Sequence, residues 1–360
     1  MAARDSVAQK VTPLIAKKRT DIFVGVDDGN YGIKLVLEDG TCHYMPSRAA
    51  RGHKPVVGLT GEGNHDCAYT VGEQQFTVVE NYALIPAEDP RHMGEPYPVS
   101  ALNRVLVHHA MLRAGLGDQD CTVVTGLPID DFYIAGQKNV DLIDRKIVNL
   151  LNSPITNKNP SVALPRIVNH RVISEGIAAY FDLLLDFHGN EDPETLKLVR
   201  SRALAVIDVG GSTTDIAVIA EGGTGIYADR SGTKRVGALN LNTRVGARLR
   251  NEFKLADEPP ATHIEQAIQS KTYQLFGTEH DVSGIVDAEA NTFASEIIAA
   301  MYKLVGQGHD VGSVVFVGGG SILLKPAFEK VYANHSIFPN EPQFANGRGM
   351  LKAAKFVLQW

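Results

Sequence analysis

The chain has 360 residues, 44% hydrophobic and 21% charged, with a formal net charge of −6. That length suits two domains or one large α/β unit with an ample core, and the acidic balance argues against nucleic-acid binding as the main role. Three scattered cysteines, Cys42, Cys67 and Cys121, argue against a disulfide framework or a zinc site and fit a reducing cytosol, while no apolar run reaches the roughly 18 residues of a membrane span.

The first twenty residues lack an apolar signal core. Val7, Val11, Leu14 and Ile15 fall at helical spacing beside the basic cluster Lys17, Lys18 and Arg19, but Pro13 interrupts the pattern. Residues 1–20 therefore read as a flexible or loosely docked tail rather than a membrane or partner helix. The first strand is DIFVGV (21–26), followed by DDGNYG and a second strand, IKLVLE (33–38). Gly40 turns the chain into TCHYM (41–45).

From Arg48 to Tyr97 the chain is rich in Gly, Pro and polar residues, and AYTVGEQQFTVV (68–79) reads as a hairpin turning at Gly72–Glu73. A small insertion subdomain is expected over 46–98. Residues 100–114 follow as a helix, with Ser100 as cap and Leu102, Val105, Leu106 and Met111 on one face. Its His108–His109 pair reads as core-edge and surface residues, since no HExxH or His/Cys pairing accompanies it. CTVVTGLPI (121–129) is a buried strand. A helix near 139–151, a strand at RIVNHRVIS (166–174) and a helix at EGIAAYFDLLLDF (175–187) complete the first half, and NEDPE (190–194) reads as a linker.

The second half opens with ALAVIDVGGSTTDIAVIA (203–220) and is expected to place a third strand near GIYADRS (225–231). Helices are expected around 239–254, 261–275 and 284–305. SVVFVGGGS (313–321) is a strand entering a triple-glycine turn, and ANGRGMLKAAKFVL (345–358) is a closing helix. Alternating strands and helices indicate the α/β class.

One plan occurs twice. DIFVGVDDGNYGIKLVL and ALAVIDVGGSTTDIAVI each run apolar strand, Asp, one residue, Gly, short polar turn, apolar strand. Their lead aspartates are Asp27 and Asp208, and each hairpin opens one half of the chain, which suggests two related domains facing each other. Glycine lets backbone approach a ligand, and successive backbone N–H groups form an anion-binding concavity. Ser212, Thr213 and Thr214 add hydroxyls, and Lys34 offers a point charge to phosphate. The aspartates would repel phosphate unless a divalent cation lies between, and Mg²⁺ is held through one or two carboxylates plus phosphate oxygens. Either hairpin alone also reads as a β-turn of turn-favouring Asp and Gly. Gly318, Gly319 and Gly320 lack the Walker lysine and the GxGxxG spacing, but suit a surface where a purine lies against bare backbone.

With these motifs in order, nearly all of the chain from Asp21 onward resembles the actin and DnaK-type chaperone ATPase superfamily, and within it the plasmid-segregation actins of the ParM (StbA) family. VGVDDGNYGIK resembles the first phosphate motif and VISEGIAAY the first connecting motif. LAVIDVGGSTTDIAVI resembles the second phosphate motif, VVFVGGGS the adenosine motif and ANGRGMLKAA the second connecting motif. VHHAMLRAGL, CTVVTGLPIDDFY and YTVGEQQFTV are ParM-like in particular. The resemblance implies an actin-like two-domain ATPase fold, each domain a mixed five-stranded sheet flanked by helices. Domain I would cover 21–195 and domain II 196–344, with 345–360 returning as a helix to domain I.

The resemblance also implies roles. Asp27 and Asp208 would hold Mg²⁺. Asp28, Gly29, Asn30, Tyr31, Gly32 and Lys34, with Gly210, Gly211, Ser212 and Thr213, would hold the phosphates of ATP or GTP. Gly318, Gly319 and Gly320 would line the adenine site, and Glu175 and Asp208 would be catalytic, Glu175 placing the attacking water. A helix-start acid such as Glu175 can also simply complement the helix dipole. Asn30 and Tyr31 stand where the family often places Ser or Thr, the tail 1–20 is not part of the family core, and 46–66 has no clear counterpart.

The implied function is a cytoplasmic, filament-forming ATPase that segregates plasmid DNA through a ParR-type adaptor on a centromere-like site. Direct nucleic-acid or membrane binding is not expected. The alternatives are another bacterial or archaeal cytoskeletal actin homologue, or a small-molecule kinase of the same superfamily, for which no substrate pocket is identified. A chaperone-type ATPase is not expected, since no peptide-binding domain follows the last helix.

Overall fold

The computed structural model describes residues 21–55, 65–79, 87, 90, 96–333 and 335–360. The expected tail at 1–20 and residues 56–64 of the 46–66 segment lie outside the described residues.

The first half begins as an antiparallel meander of β1 (Ile22–Asp28), β2 (Gly32–Val36) and β3 (Cys42–Pro46). The short strands β4 (Ala49–Arg51), β5 (Ala68–Val71) and β6 (Gln74–Val78) belong to a separate small sheet, with the hairpin turning at Gly72–Glu73 as its sequence predicts. Helix α1 (Ala101–Arg113) leads into β7 (Asp120–Leu127), the single turn α2 (Ile129–Phe132) and the hairpin β8 (Tyr133–Ile134) and β9 (Gln137–Lys138). Then come α3 (Val140–Leu151), β10 (Thr156–Asn157), β11 (Arg166–Ser174), α4 (Glu175–Leu184) and α5 (Pro193–Ser201). The main sheet has the order β11-β7-β1-β2-β3 and the small sheet β10-β5-β6-β4, so residues 156–157 also contribute to the insertion.

The second half repeats the plan. β12 (Ala203–Val209), β13 (Thr214–Ile219) and β14 (Gly232–Lys234) form the meander. They are followed by α6 (Ala238–Glu252), α7 (Ala261–Ser270), the hairpin β15 (Thr272–Leu275) and β16 (Thr278–Asp281), and α8 (Ser283–Leu304). β17 (Val311–Val317), α9 (Gly319–Val331), β18 (Ser336–Ile337) and α10 (Ala345–Phe356) end the chain. The sheet order is β14-β13-β12-β17-β18. In both sheets a three-stranded antiparallel meander continues through its first strand into two parallel strands. The expected pair of mixed five-stranded sheets flanked by helices is what the chain forms.

Five local expectations are corrected, the first being the triple-glycine turn, of which Gly319 and Gly320 instead begin α9. The third strand of the second meander is 232–234, because Ala228–Arg230 forms a short 3₁₀ turn instead. The linker NEDPE starts a helix: Asp192 caps it by accepting from Thr195 N at 2.7 Å, and Pro193 fits its first position. The helix expected over 261–275 ends at Ser270, and its last residues form β15. His108 and His109 are both buried rather than at the core edge and surface. Their helix packs between the main sheet and the insertion, where His109 Nδ1 meets Tyr69 OH at 2.7 Å and His108 Nδ1 meets Arg104 O at 2.9 Å.

Two helices tie the halves together. α10 lies against β1 and against α4, so close that a Cβ on Gly349 would strike the carbonyl of Ala178. Asp182 of α4 binds Arg348 Nη2 at 2.7 Å and Lys352 Nζ at 2.6 Å. α1 also serves the site. Ser100 Oγ accepts from Asn103 N at 3.1 Å and donates to Tyr97 O at 2.8 Å, and Asn103 Nδ2 donates to Asp28 Oδ2 at 2.7 Å. Ser100→Ala is expected to cost about 1 kcal/mol, read as a lower urea midpoint with an unchanged slope.

Candidate functional site

The two hairpin turns meet across one cleft. Asp27 and Asp28 end β1, and Asp208 lies near the end of β12. Alternation along β1 sends the two aspartates to opposite faces. Asp27 pairs with Lys34 directly across the hairpin, Nζ to Oδ2 at 2.8 Å. Asp28 is held on the other side by Lys146 Nζ at 2.9 Å and by Asn103. Lys146 is itself buried and also donates to Gly126 O at 2.6 Å, which ties α3 to the ends of β1 and β7. Burial lowers the Lys34 pKa, but the Asp27 charge and hydrogen bond outweigh it, so the net shift is upward.

The first turn is anchored from the following segment. Ser47 Oγ donates to Gly29 O at 2.6 Å, Ser47 N donates to Tyr31 O at 3.1 Å and Arg48 Nη1 donates to Asn30 O at 3.3 Å. The second turn closes on Gly210 N donating to Thr213 O at 2.9 Å. A Cβ on Gly211 would strike Tyr31 Cβ, so the close approach of the two tips requires glycine there. Tyr31 continues across the cleft and faces the same hollow as Glu265 of α7. Gly32 backs onto Tyr44 of β3.

Behind the tips, three carboxylates converge. Glu175, Asp208 and Asp215 can each place one oxygen within 4.8 Å of the others. Asp208 and Asp215 are cross-strand partners, and Glu175 is the first residue of α4. Asp208 accepts from Asn346 Nδ2 at 2.7 Å, while Asp215 Oδ1 accepts from Ile129 N at 2.7 Å and Thr233 Oγ1 at 2.5 Å. Burial, with the Asp27 charge, pushes Asp208 up to about 6. Burial, with the Asp208 charge, pushes Asp215 up to about 7 against those hydrogen bonds. Glu175 is driven well above the usual carboxylate range by burial and then by Asp215, Asp27 and Asp208, against the pull of Lys146.

Asp27, Lys34, Glu175, Asp208 and the 210–213 turn line a cavity of about 570 Å³. A second hollow of about 360 Å³ shares Lys34, Gly210 and Gly211 with it. Leu241, Ile268, Ile322 and Leu323 make that hollow mostly apolar, and Asn242, Glu265 and Gln269 supply polar edges. Gly319 and Gly320 of the triple-glycine segment line it. Gly318 sits below at φ +81°, its missing side chain leaving room for Asp208 Oδ1.

The cleft fits a phosphate chain and a divalent cation. Ser212 Oγ and Asp215 Oδ2 are buried with no hydrogen-bond partner among the described residues, and buried orphans of this kind call for a polar guest. Three carboxylates held above their normal range by burial, and further by one another's charge, would be relieved by a divalent cation.

Sequence reasoning did not single out Asp215, Asn346, Lys146 or Glu265 as site residues. Asp215 had a readable signal, since a two-residue alternation through the tight turn sets it opposite Asp208. The other three reach the cleft from α10, α3 and α7, and only the packing of those helices brings them there.

Residues 22–186 match the family model for the N-terminal part of the plasmid segregation protein ParM, and residues 206–330 match that for the C-terminal part of the archaeal actin homologue MreB-like proteins. No curated protein matches the chain. Among solved structures the chain is similar to the ParM of a 15-stranded filament from Clostridium botulinum, at 18% identity and a TM-score of 0.75, covering 94% of this chain and 99% of that one. It is similar to Ta0583, an archaeal actin homologue, at 21% identity and a TM-score of 0.72, covering 93% and 99%. The complex of Ta0583 with ADP gives the same identity and coverage, with a TM-score of 0.71.

Proposed function

From the actin-like fold of this chain, we propose that it is a nucleotide-dependent, filament-forming ATPase. The observation that carries this is the joint cleft: two glycine hairpins tip to tip, three converging carboxylates behind them, and an apolar hollow with polar edges beside them. This is the donor set that a nucleoside triphosphate and its cation require. The similarity to Ta0583, whose structure has been determined with ADP, supports nucleotide binding.

The phosphates would lie between the turns at 29–32 and 210–213. There Ser212 Oγ and backbone N–H groups would bind them, and Lys34, freed in part from Asp27, would balance their charge. The Gly318–Gly320 segment and the apolar hollow would take the base, with Glu265 and Gln269 at its polar edge. Asp208 and Asp215, with Asp27 nearby, would hold Mg²⁺, which when bound supplies positive charge to neutralise the phosphates. Glu175 would orient the attacking water and accept its proton.

The finer reading is a cytoplasmic filament that moves plasmid DNA through a DNA-bound adaptor of ParR type, supported by the match of the first half to ParM. The net charge of −6 agrees with contact through an adaptor rather than directly with DNA. The match of the second half to archaeal actin homologues favours a second reading, another cytoskeletal role with the same chemistry.

Sedimentation and light scattering with Mg²⁺ and ATP, GTP, ADP or no nucleotide test the proposal. ATP is expected to drive the protein into the pellet and to be hydrolysed as it does so. Protein that stays in the supernatant with every nucleotide, while a small-molecule acceptor becomes phosphorylated, would establish a kinase instead.

A further inference from the structure

The first turn divides between the two hollows. Gly29 and Asn30 line the 570 Å³ cavity with Asp27 and Asp208, whereas Tyr31 lines the 360 Å³ apolar hollow. The two spaces share Lys34, Gly210 and Gly211. Tyr31 stands at that neck, since a Cβ on Gly211 would fall 2.4 Å from its own Cβ. Its backbone is pinned. Tyr31 O accepts from Ser47 N at 3.1 Å, and the carbonyls of Gly29 and Asn30 accept from Ser47 Oγ at 2.6 Å and Arg48 Nη1 at 3.3 Å. A side chain carried on such a fixed turn is positioned before its ligand arrives.

The wall of the apolar hollow belongs otherwise to the second half of the chain. α6 gives Leu241, α7 gives Ile268, and α9 gives Ile322 and Leu323. Among the described residues that line it, only Tyr31 and Lys34 come from the first half. Lys34 is held by Asp27 at 2.8 Å, so the aromatic and apolar surface offered from that side is the Tyr31 ring. Burial pushes the Glu265 carboxyl up, and the Tyr31 hydroxyl is among the groups that draw it back, so the phenol end of the side chain approaches α7.

We propose that Tyr31 is a nucleoside-binding residue. Its ring packs against the sugar and base of a nucleotide whose phosphates lie beyond the neck, and it makes the site take nucleotides in preference to bare polyphosphates. This rests on the nucleotide reading above, and moves Tyr31 from the phosphate side of the first turn, where the resemblance put it, to the base side. The chemistry agrees with the placement. A short Ser or Thr hydroxyl at this point would stay beside the phosphates, whereas tyrosine carries its hydroxyl past the neck into the hollow shared with Glu265. An aromatic face gives apolar and π contact to any base. A nucleoside seated among the second-half helices would gain its aromatic contact with the first half through this one ring.

Tyr31→Ser and Tyr31→Phe test this by calorimetric titration with ADP and, separately, with inorganic pyrophosphate, each with Mg²⁺. Wild type is expected to bind ADP more tightly than pyrophosphate. Tyr31→Ser should weaken ADP about thirtyfold and leave pyrophosphate within about threefold of wild type. The retained pyrophosphate affinity also shows that the phosphate site of the variant is folded. Tyr31→Phe keeps the ring and should bind ADP within about threefold of wild type. Equal losses of pyrophosphate and ADP affinity in Tyr31→Ser would assign the residue to the phosphates or to the fold, and overturn the inference. Unchanged ADP affinity in Tyr31→Ser overturns it as well and leaves the nucleotide reading standing. Wild-type protein that binds neither probe overturns the nucleotide reading and this role together.

Discussion

Replacing Glu175 with glutamine is expected to slow ATP hydrolysis by about two to three orders of magnitude and to leave ATP affinity nearly unchanged. Glu175 opens α4 directly from the end of β11, and its side chain lies across β7, where a Cβ on Gly126 would come within 2.6 Å of Glu175 Cγ. Asp208 is fastened by Asn346, and Asp215 by Ile129 N and Thr233. Glu175 has no such tether among the described residues, so it is the carboxylate of the three that can turn toward a water. A glutamine keeps the shape and can still hold that water, but it cannot accept a proton. Loss of a base should therefore lower kcat with KM little changed. A helix-start acid acting only on the dipole would behave differently, since glutamine there costs a few tenths of a kcal/mol in stability and leaves turnover alone. Single-turnover phosphate release at saturating ATP separates the two, and a polymer that outlives the wild type in the same sample would tie hydrolysis to disassembly.

The hairpins were legible because their chemistry is local. Strand, Asp, Gly, turn and strand follow one another in sequence, so the eye and the fold agree on ALAVIDVGGSTTDIAVIA. The strand at 166–174 and the helix from Ala345 were legible for the same reason, each being a continuous run between clear breaks. The errors fall where a local signal had two meanings. Pro193 reads as a breaker, yet it sits where a helix tolerates it, just after a capping Asp192. The triple glycine reads as a turn, yet Gly319 and Gly320 begin α9. The helical pattern running on from α7 hid a β-hairpin, because Phe276 and not Asn occupies its turn. Partners that reach the cleft from distant helices, such as Lys146 for Asp28 and Asn346 for Asp208, leave no sequence spacing to read.

In nucleotide-free protein, Mg²⁺ is expected to bind about a hundredfold more tightly at pH 8 than at pH 5.5. The sign follows from the raised carboxyls. Asp208 at about 6 and Asp215 at about 7 hold protons in the folded state over a range where the unfolded chain, near 3.8, has released them. Their protonation stabilises the metal-free fold at low pH, and that stability is lost as the pH rises through their folded values. For Asp215 alone the loss between pH 5 and pH 8 amounts to about 2–3 kcal/mol. A cation must displace these protons at pH 5.5 but finds the oxygens already ionised, and mutually repelling, at pH 8. The overall stability profile is not diagnostic, because His108 and His170 act in the opposite sense. Burial pushes both down to about 4, so they stay neutral in the fold and add stability as the pH rises toward 6.5. They lie in both the metal-free and the metal-bound protein and cancel in the difference between the two. The informative quantity is therefore the rise in melting temperature on adding Mg²⁺, which should be several degrees at pH 8 and close to zero at pH 5.5 at the same concentration. Asp215→Asn should remove most of that pH dependence, since it takes away the carboxyl with the larger proton hold. Equal Mg²⁺ stabilisation at both pH values would mean that Asp208 and Asp215 are not the cation's ligands.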